Sequence, residues 1–166
     1  MLGAKSSGAE KVSEHLDRTD RKLLRAVQDN CMLGAEALGE IGCVSPSTAL
    51  RRLKRLRDER VISAEVAVVD PKRVGRPLLM IVGVRLDRET AAIAADFVRR
   101  MQAHPAVMQC YFVTGSADYI LHLSVRDMEE YDGFVQTLVA NPHVSMTETH
   151  VVIKPLKVGL KVPIGD

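Results

Sequence analysis

The chain has 166 residues, 46% of them hydrophobic, with no Trp, 4% aromatics and a formal charge of +2. That length holds one domain or two small ones, and the aliphatic bias gives a globular core. No stretch approaches the roughly 20 apolar residues of a membrane span, and Cys31, Cys43 and Cys110 share no metal-ligand spacing.

These features lead us to expect a cytosolic protein with reduced thiols packed as small hydrophobes, no metal and no cofactor. The charge is unevenly spread. Residues 1–78 carry 15 Lys and Arg against 11 Asp and Glu, while residues 79–166 carry 8 against 10. A phosphate-binding half requires an excess of this sign.

In chain order, residues 1–15 are polar, lack the apolar run of a signal peptide and read as a mobile tail. Asp17-Arg18-Thr19-Asp20 then offers an N-cap with a carboxylate at the third helical position, ahead of Leu23, Leu24 and Val27. A short helical segment follows at 35–41. Ser45 is the next N-cap, with Pro46 at the first helical position and Thr48 in the first turn.

The helix that Ser45 opens holds six basic residues within 45–60. At about 100° per residue, Ser47, Thr48, Arg51, Arg52, Lys54 and Arg55 share one arc, and Ala49, Leu50, Leu53 and Leu56 share the other. Arg57 falls in the apolar arc and has to turn outward at the helix end. Arg51 and Arg52 have no acidic neighbour at helical spacing and are expected to be free of internal salt bridges. A helix of this kind docks through Leu and offers Arg forks and hydroxyls to base edges and phosphates. Preceded by two helices, it completes the order of a helix-turn-helix unit.

Val61-Ile62 and Glu65-Val66-Ala67-Val68 alternate as a strand leaving this unit. Pro71-Lys72-Arg73-Val74-Gly75-Arg76-Pro77 is a short, stiff connector that marks the domain boundary. The expected division is a tail at 1–15, the helix-turn-helix at 16–62, a connecting strand and linker at 63–77, and a second domain at 78–166.

The second domain reads as a strand at 79–86, a helix over 88–101 and a strand at 107–114. A break at Gly115-Ser116-Ala117 is followed by a strand at 119–125. A helix capped by Asp127 and a strand at 144–153 then close the domain. This is βαββαβ, the ferredoxin-like split unit. Its helices cover one sheet face, so an aliphatic second face is expected to be covered by another copy, giving a homodimer. The fold class is therefore α+β.

With these pieces in order, the chain resembles the Lrp/AsnC family of leucine- and asparagine-responsive regulators. The resemblance runs from residue 16 to about 163. It is carried by Leu16-Asp17 with Asp20, Ser45-Pro46-Ser47, Arg51-Arg52-Leu53-Lys54-Arg55-Leu56 and Asp70-Pro71. Further on it rests on Val113-Thr114-Gly115, Asp118-Tyr119, Asn141-Pro142-His143-Val144 and Thr147-Glu148-Thr149.

Membership implies a winged-helix-like helix-turn-helix domain followed by an ACT-like domain, in a DNA-binding transcriptional regulator. It also implies dimers that assemble into tetramers or octamers and an amino-acid effector bound between neighbouring dimers. Carried over residue by residue, Ser45, Ser47, Thr48, Arg51, Arg52 and Arg55 contact duplex DNA. The turn Thr114, Gly115, Ser116 and Asp118, with Thr147 and Thr149, lines the effector site. Ser116 stands where the family usually has a carboxylate, which leaves Asp118 to meet the effector's ammonium. Gly39 and Gly42 weaken the middle helix on propensity, and Arg60 replaces the glycine that normally ends the basic helix.

An enzyme is not expected. His15, His104, His122, His143 and His150 are scattered, and Gly75, Gly83 and Gly115 form no phosphate-binding loop. The alternatives are an oligomeric ACT-like ligand-binding module and a regulator that has lost its effector response.

Overall fold

The computed structural model describes residues 16–87 and 90–165. The tail read at 1–15 lies outside the described residues. Two compact units are present among the described residues, one formed by 16–67 together with 158–165, the other by the described part of 68–157.

The first unit is three helices, α1 (Arg18–Asp29), α2 (Ala35–Gly42) and α3 (Pro46–Asp58). A capping box opens α1: the Asp17 carboxylate accepts from the Asp20 amide at 2.8 Å, and the Asp20 carboxylate accepts from the Asp17 amide at 3.3 Å. Leu23 and Leu24 from α1, Leu38 from α2, and Ala49, Leu53 and Leu56 from α3 form the buried core, with Ile164 packed against it. Each fully buried Leu contributes roughly 1.5–3 kcal/mol, which matters in a core this small. Leu50, assigned to the apolar arc, is instead 47% exposed. It lies about 60° around the helix from Leu53, far enough to miss the α1 contact.

The middle helix keeps both glycines because its packing needs them. A Cβ on Gly39 would stand 2.9 Å from the Val44 carbonyl oxygen and 3.1 Å from the Pro46 nitrogen. The turn into α3 closes onto bare backbone there. Cys43 takes the left-handed conformation at the end of α2, with φ 55°.

Residues 63–70 have no regular structure, which corrects the strand expected at 65–68. Val66 and Val68 alternate as a strand would, yet they stay exposed, because among the described residues no strand pairs with them. A one-turn 3₁₀ segment, Pro71–Val74, ends at Gly75 with φ 75°.

The second unit is a four-stranded antiparallel sheet of β1 (Leu78–Leu86), β2 (Val107–Phe112), β3 (Tyr119–Val125) and β4 (Val144–Val151), in the order β2-β3-β1-β4. Helices α4 (Ala91–Ala103) and α5 (Met128–Val139) complete βαββαβ. The core residues Met80, Val82, Val84, Leu121, Leu123 and Val125 meet Phe97 and Met101 of α4 and Phe134 and Leu138 of α5.

Strand alternation sends Leu79, Ile81, Tyr111, Ile120 and Met146 to the other face together with His122, Glu148 and His150. That face is mixed, not the aliphatic surface expected. Of the cysteines, Cys31 and Cys43 are exposed, so they do not pack as core hydrophobes. Only Cys110 is partly buried, and burial pushes its thiol pKa up. Among the described residues no helix is long and apolar enough to cross a membrane.

Candidate nucleic-acid interface and ligand site

The start of α3 is built from hydroxyls. Ser45 Oγ accepts from the Thr48 amide at 3.3 Å, donates to Thr48 Oγ1 at 2.8 Å and stands 3.2 Å from Ser47 Oγ. This network satisfies an orphan amide of the first turn and fixes where the helix begins. Ser45 and Ser47 are exposed, and Thr48 is half-buried.

The basic residues of α3 divide into two groups. Arg51 and Lys54 are exposed and, among the described residues, have no ion-pair partner. The other three are committed. Arg57 makes a two-pronged contact with Glu65 at 2.8 and 3.2 Å. Arg52 Nη1 donates to Asp17 at 2.5 Å and to Asp20 at 3.0 Å, and Arg55 Nη2 donates to Asp20 at 2.6 Å.

The expectation that Arg52 is free of internal salt bridges is therefore overturned. Its partners come from α1, where spacing along α3 alone cannot show them. Sequence reasoning gave Asp17 and Asp20 a capping role and did not foresee this second one. Asp17's carboxyl is held below the usual range, first by the Asp20 amide and then by Arg52. Arg52 is raised in turn by Asp17 and Asp20.

In the second unit the turn between β2 and β3 carries the expected effector residues. Gly115 has φ 127°, a conformation open to glycine, and Thr114 and Ser116 are exposed. Asp118 is held in the sheet. Its amide donates to Val84 O at 2.9 Å, and its Oδ2 accepts from the Leu86 amide at 2.8 Å. The irregular register between Arg85 and Leu86 turns that amide away from β4. One carboxylate oxygen of Asp118 thus closes the strand end.

Ala117 packs over Gly83 on the sheet face away from the helices, where a Cβ on Gly83 would be 3.4 Å from Ala117 Cβ. Thr147 and Thr149 pair with Val84 and Val82 and so point to the helix-covered face. There Tyr131 donates to Thr149 Oγ1 at 2.6 Å, a partner that nothing in the sequence announces. Within this chain the turn and the threonines lie on opposite faces of the sheet. A groove of about 380 Å³ beside β2, lined by Val98, Gln102, Cys110, Phe112 and Tyr119 among others, contains none of these residues.

Residues 16–57 match the AsnC-type helix-turn-helix domain, and residues 79–162 match the Lrp/AsnC ligand binding domain. An uncharacterised HTH-type transcriptional regulator of Sinorhizobium fredii is 45% identical over 90% of this chain and 89% of that protein. The HTH-type transcriptional regulator AldR of Mycolicibacterium smegmatis is 32% identical over 95% of this chain and 94% of its own length. A Neisseria meningitidis transcriptional regulator, solved as its L-Met complex, superposes with a TM-score of 0.84 at 32% identity. That match covers 89% of this chain and 96% of the solved one. A three-helix unit with an N-capped basic helix, joined to a ferredoxin-like ligand-binding unit and matched along nearly its whole length, makes this chain a DNA-binding transcriptional regulator of the Lrp/AsnC family.

Proposed function

We propose that this regulator reads duplex DNA with the exposed arc of α3 and senses an amino acid at the turn 114–118, acting by binding alone, without a catalytic step, in the cytoplasm. The observation that carries the reading is α3 itself. It has hydroxyls at its capped N-terminus and, one turn further on, Arg51 and Lys54, two cations with no ion-pair partner among the described residues. Ser47 and Arg51 are the base-reading candidates, with Ser45, Thr48, Lys54 and the outer donors of Arg55 at phosphates.

On the ligand side, the Neisseria relative was solved with L-Met, and the turn supplies what an amino acid requires. Accessible backbone amides near Gly115 suit its carboxylate, and the carboxylate of Asp118 suits its ammonium. The opposed placement of Thr147 and Thr149 supports a site shared between subunits. The sheet face away from the helices, where Leu79, Ile81, Ile120 and Met146 stand beside His122, Glu148 and His150, supports a homodimer as the building block of a tetramer or octamer.

The decisive experiment pairs a selected DNA duplex with random DNA. Arg51→Ala is expected to cost roughly 1–3 kcal/mol on the selected site and to relax specificity at one base position. Wild-type discrimination in that variant would remove α3 as the reader. A thermal-shift screen of the twenty amino acids then tests sensing, since a ligand that binds only the folded form must stabilise it. Stabilisation by none of them would leave a regulator without amino-acid response.

A further inference from the structure

Asp20 does more than cap α1. Its carboxylate is fully buried, an environment that a capping box does not require and that is costly for a charge without partners. It accepts from the Asp17 amide, from Arg52 at 3.0 Å and from Arg55 at 2.6 Å. Both arginines belong to α3, and Arg52 reaches on to Asp17. Two carboxylates from α1 therefore neutralise two guanidinium groups of the basic helix, and Glu65 engages a third. A helix meant only to attract phosphates gains nothing from such neutralisation, because nonspecific affinity rises with each uncompensated cation. Discrimination does gain, since it is the ratio of specific to nonspecific binding that finds one site among many.

We propose that Asp20 is the positioning residue of the DNA-reading face: it withholds Arg52 and the inner edge of Arg55 from indiscriminate phosphate contact, and it holds the outer donors of Arg55 in one direction beside Arg51. This rests on α3 being the DNA reader. Arg55 remains 44% exposed and Arg52 27%. Arg55 is thus a pinned contact residue, and Arg52 is mainly the clamp.

The test is Asp20→Asn in the full-length protein, which keeps the side-chain shape and an oxygen for the capping box and removes the charge. Binding to random duplex and to a duplex recovered by selection is measured across 50–200 mM salt. We expect the slope of log affinity against log salt on random DNA to steepen by about one unit, and the selected-to-random ratio to fall by about tenfold. A purely structural role would weaken both DNAs in parallel with unchanged slope, and that result overturns the proposal.

Arg51→Ala run alongside separates the two layers. Wild-type binding in that variant rejects α3 as reader, whereas loss there with wild-type slope and ratio in folded Asp20→Asn rejects only the clamp. If Asp20→Asn does not fold, Asp17→Asn decides, because Asn serves equally well as an N-cap. A steeper random-DNA slope supports the clamp, and a wild-type slope in folded Asp17→Asn overturns it.

Discussion

Arg60 shows how a local rule can be broken and still be obeyed in backbone. The turn that ends α3 has a residue at φ 58°, with the Arg60 amide donating to Arg57 O and the Val61 amide to Leu56 O. The sequence flags the missing glycine, and the structure keeps the left-handed turn anyway, with Arg60 bearing the strain. Relief should be measurable: Arg60→Gly is expected to stabilise the helical unit by about 1 kcal/mol in urea unfolding. A midpoint at or below that of wild type would mean that the turn is unstrained. Gly39 teaches the converse. Propensity counts it as a weakness in α2, but the 2.9 Å approach of the Val44 carbonyl makes it a requirement, and close approach of two backbones leaves no periodic trace in a sequence. Asp20 was equally half-visible, since its spacing announces a cap while its guanidinium partners lie 32 and 35 residues away.

Among the elements, alternation and capping residues place nearly every strand and helix, because each signal is local. Ser45, Asp17 and Asp127 all cap the helices that they announce. The strand expected at 65–68 fails because a strand is a property of two segments, and alternation describes only one of them. The same limit hides the network at the start of α5. There Glu130 accepts from the Arg126 amide at 2.8 Å, from the Arg126 side chain at 3.0 Å and from Arg76 at 2.7 Å. The Arg126 amide first, then the Arg126 and Arg76 side chains, outweigh the effect of burial and lower its pKa from 4.5 to about 2. With the folded value below the unfolded one, the stability that Glu130 contributes is complete above pH 4.5 and is lost as pH falls toward 2. All three tyrosines, Tyr111, Tyr119 and Tyr131, lie in this unit and the chain has no Trp, so tyrosine fluorescence follows its unfolding alone. Glu130→Gln should lower the urea midpoint at pH 7 and flatten its acid dependence between pH 4.5 and 2. An acid branch as steep as that of wild type would show that the network is energetically idle.

On the scale of the whole molecule, the chain passes between its two units twice, near 67 and again near 157, and ends in the helical one. The expected division assigns everything from 78 onward to the second domain, Val158, Leu160, Val162 and Ile164 included. The partners that reassign them are polar and lie on α1. Gln28 Nε2 donates to Val162 O at 3.1 Å while its Oε1 accepts from the Val162 amide at 2.8 Å, much as a strand neighbour would. Arg25 donates to Ile164 O at 3.0 Å and to Gly165 O at 2.8 Å, Lys161 pairs with Asp29, and Ile164 packs on the core of Leu23 and Leu24. The residues that follow β4 of the ligand-binding unit thus strap the first helix of the DNA-binding unit. A chain ending at Lys157 loses the Ile164 contact and five hydrogen bonds to Arg25 and Gln28. Each such bond contributes about 0.5–1.5 kcal/mol, against the cost of ordering the tail. In that truncated chain the slowest-exchanging amides of α1 should lose at least tenfold in protection, while those of β1 and β3 keep wild-type rates. Equal protection in α1 with and without residues 158–166 would show that the strap merely lies on the helices and does not hold them.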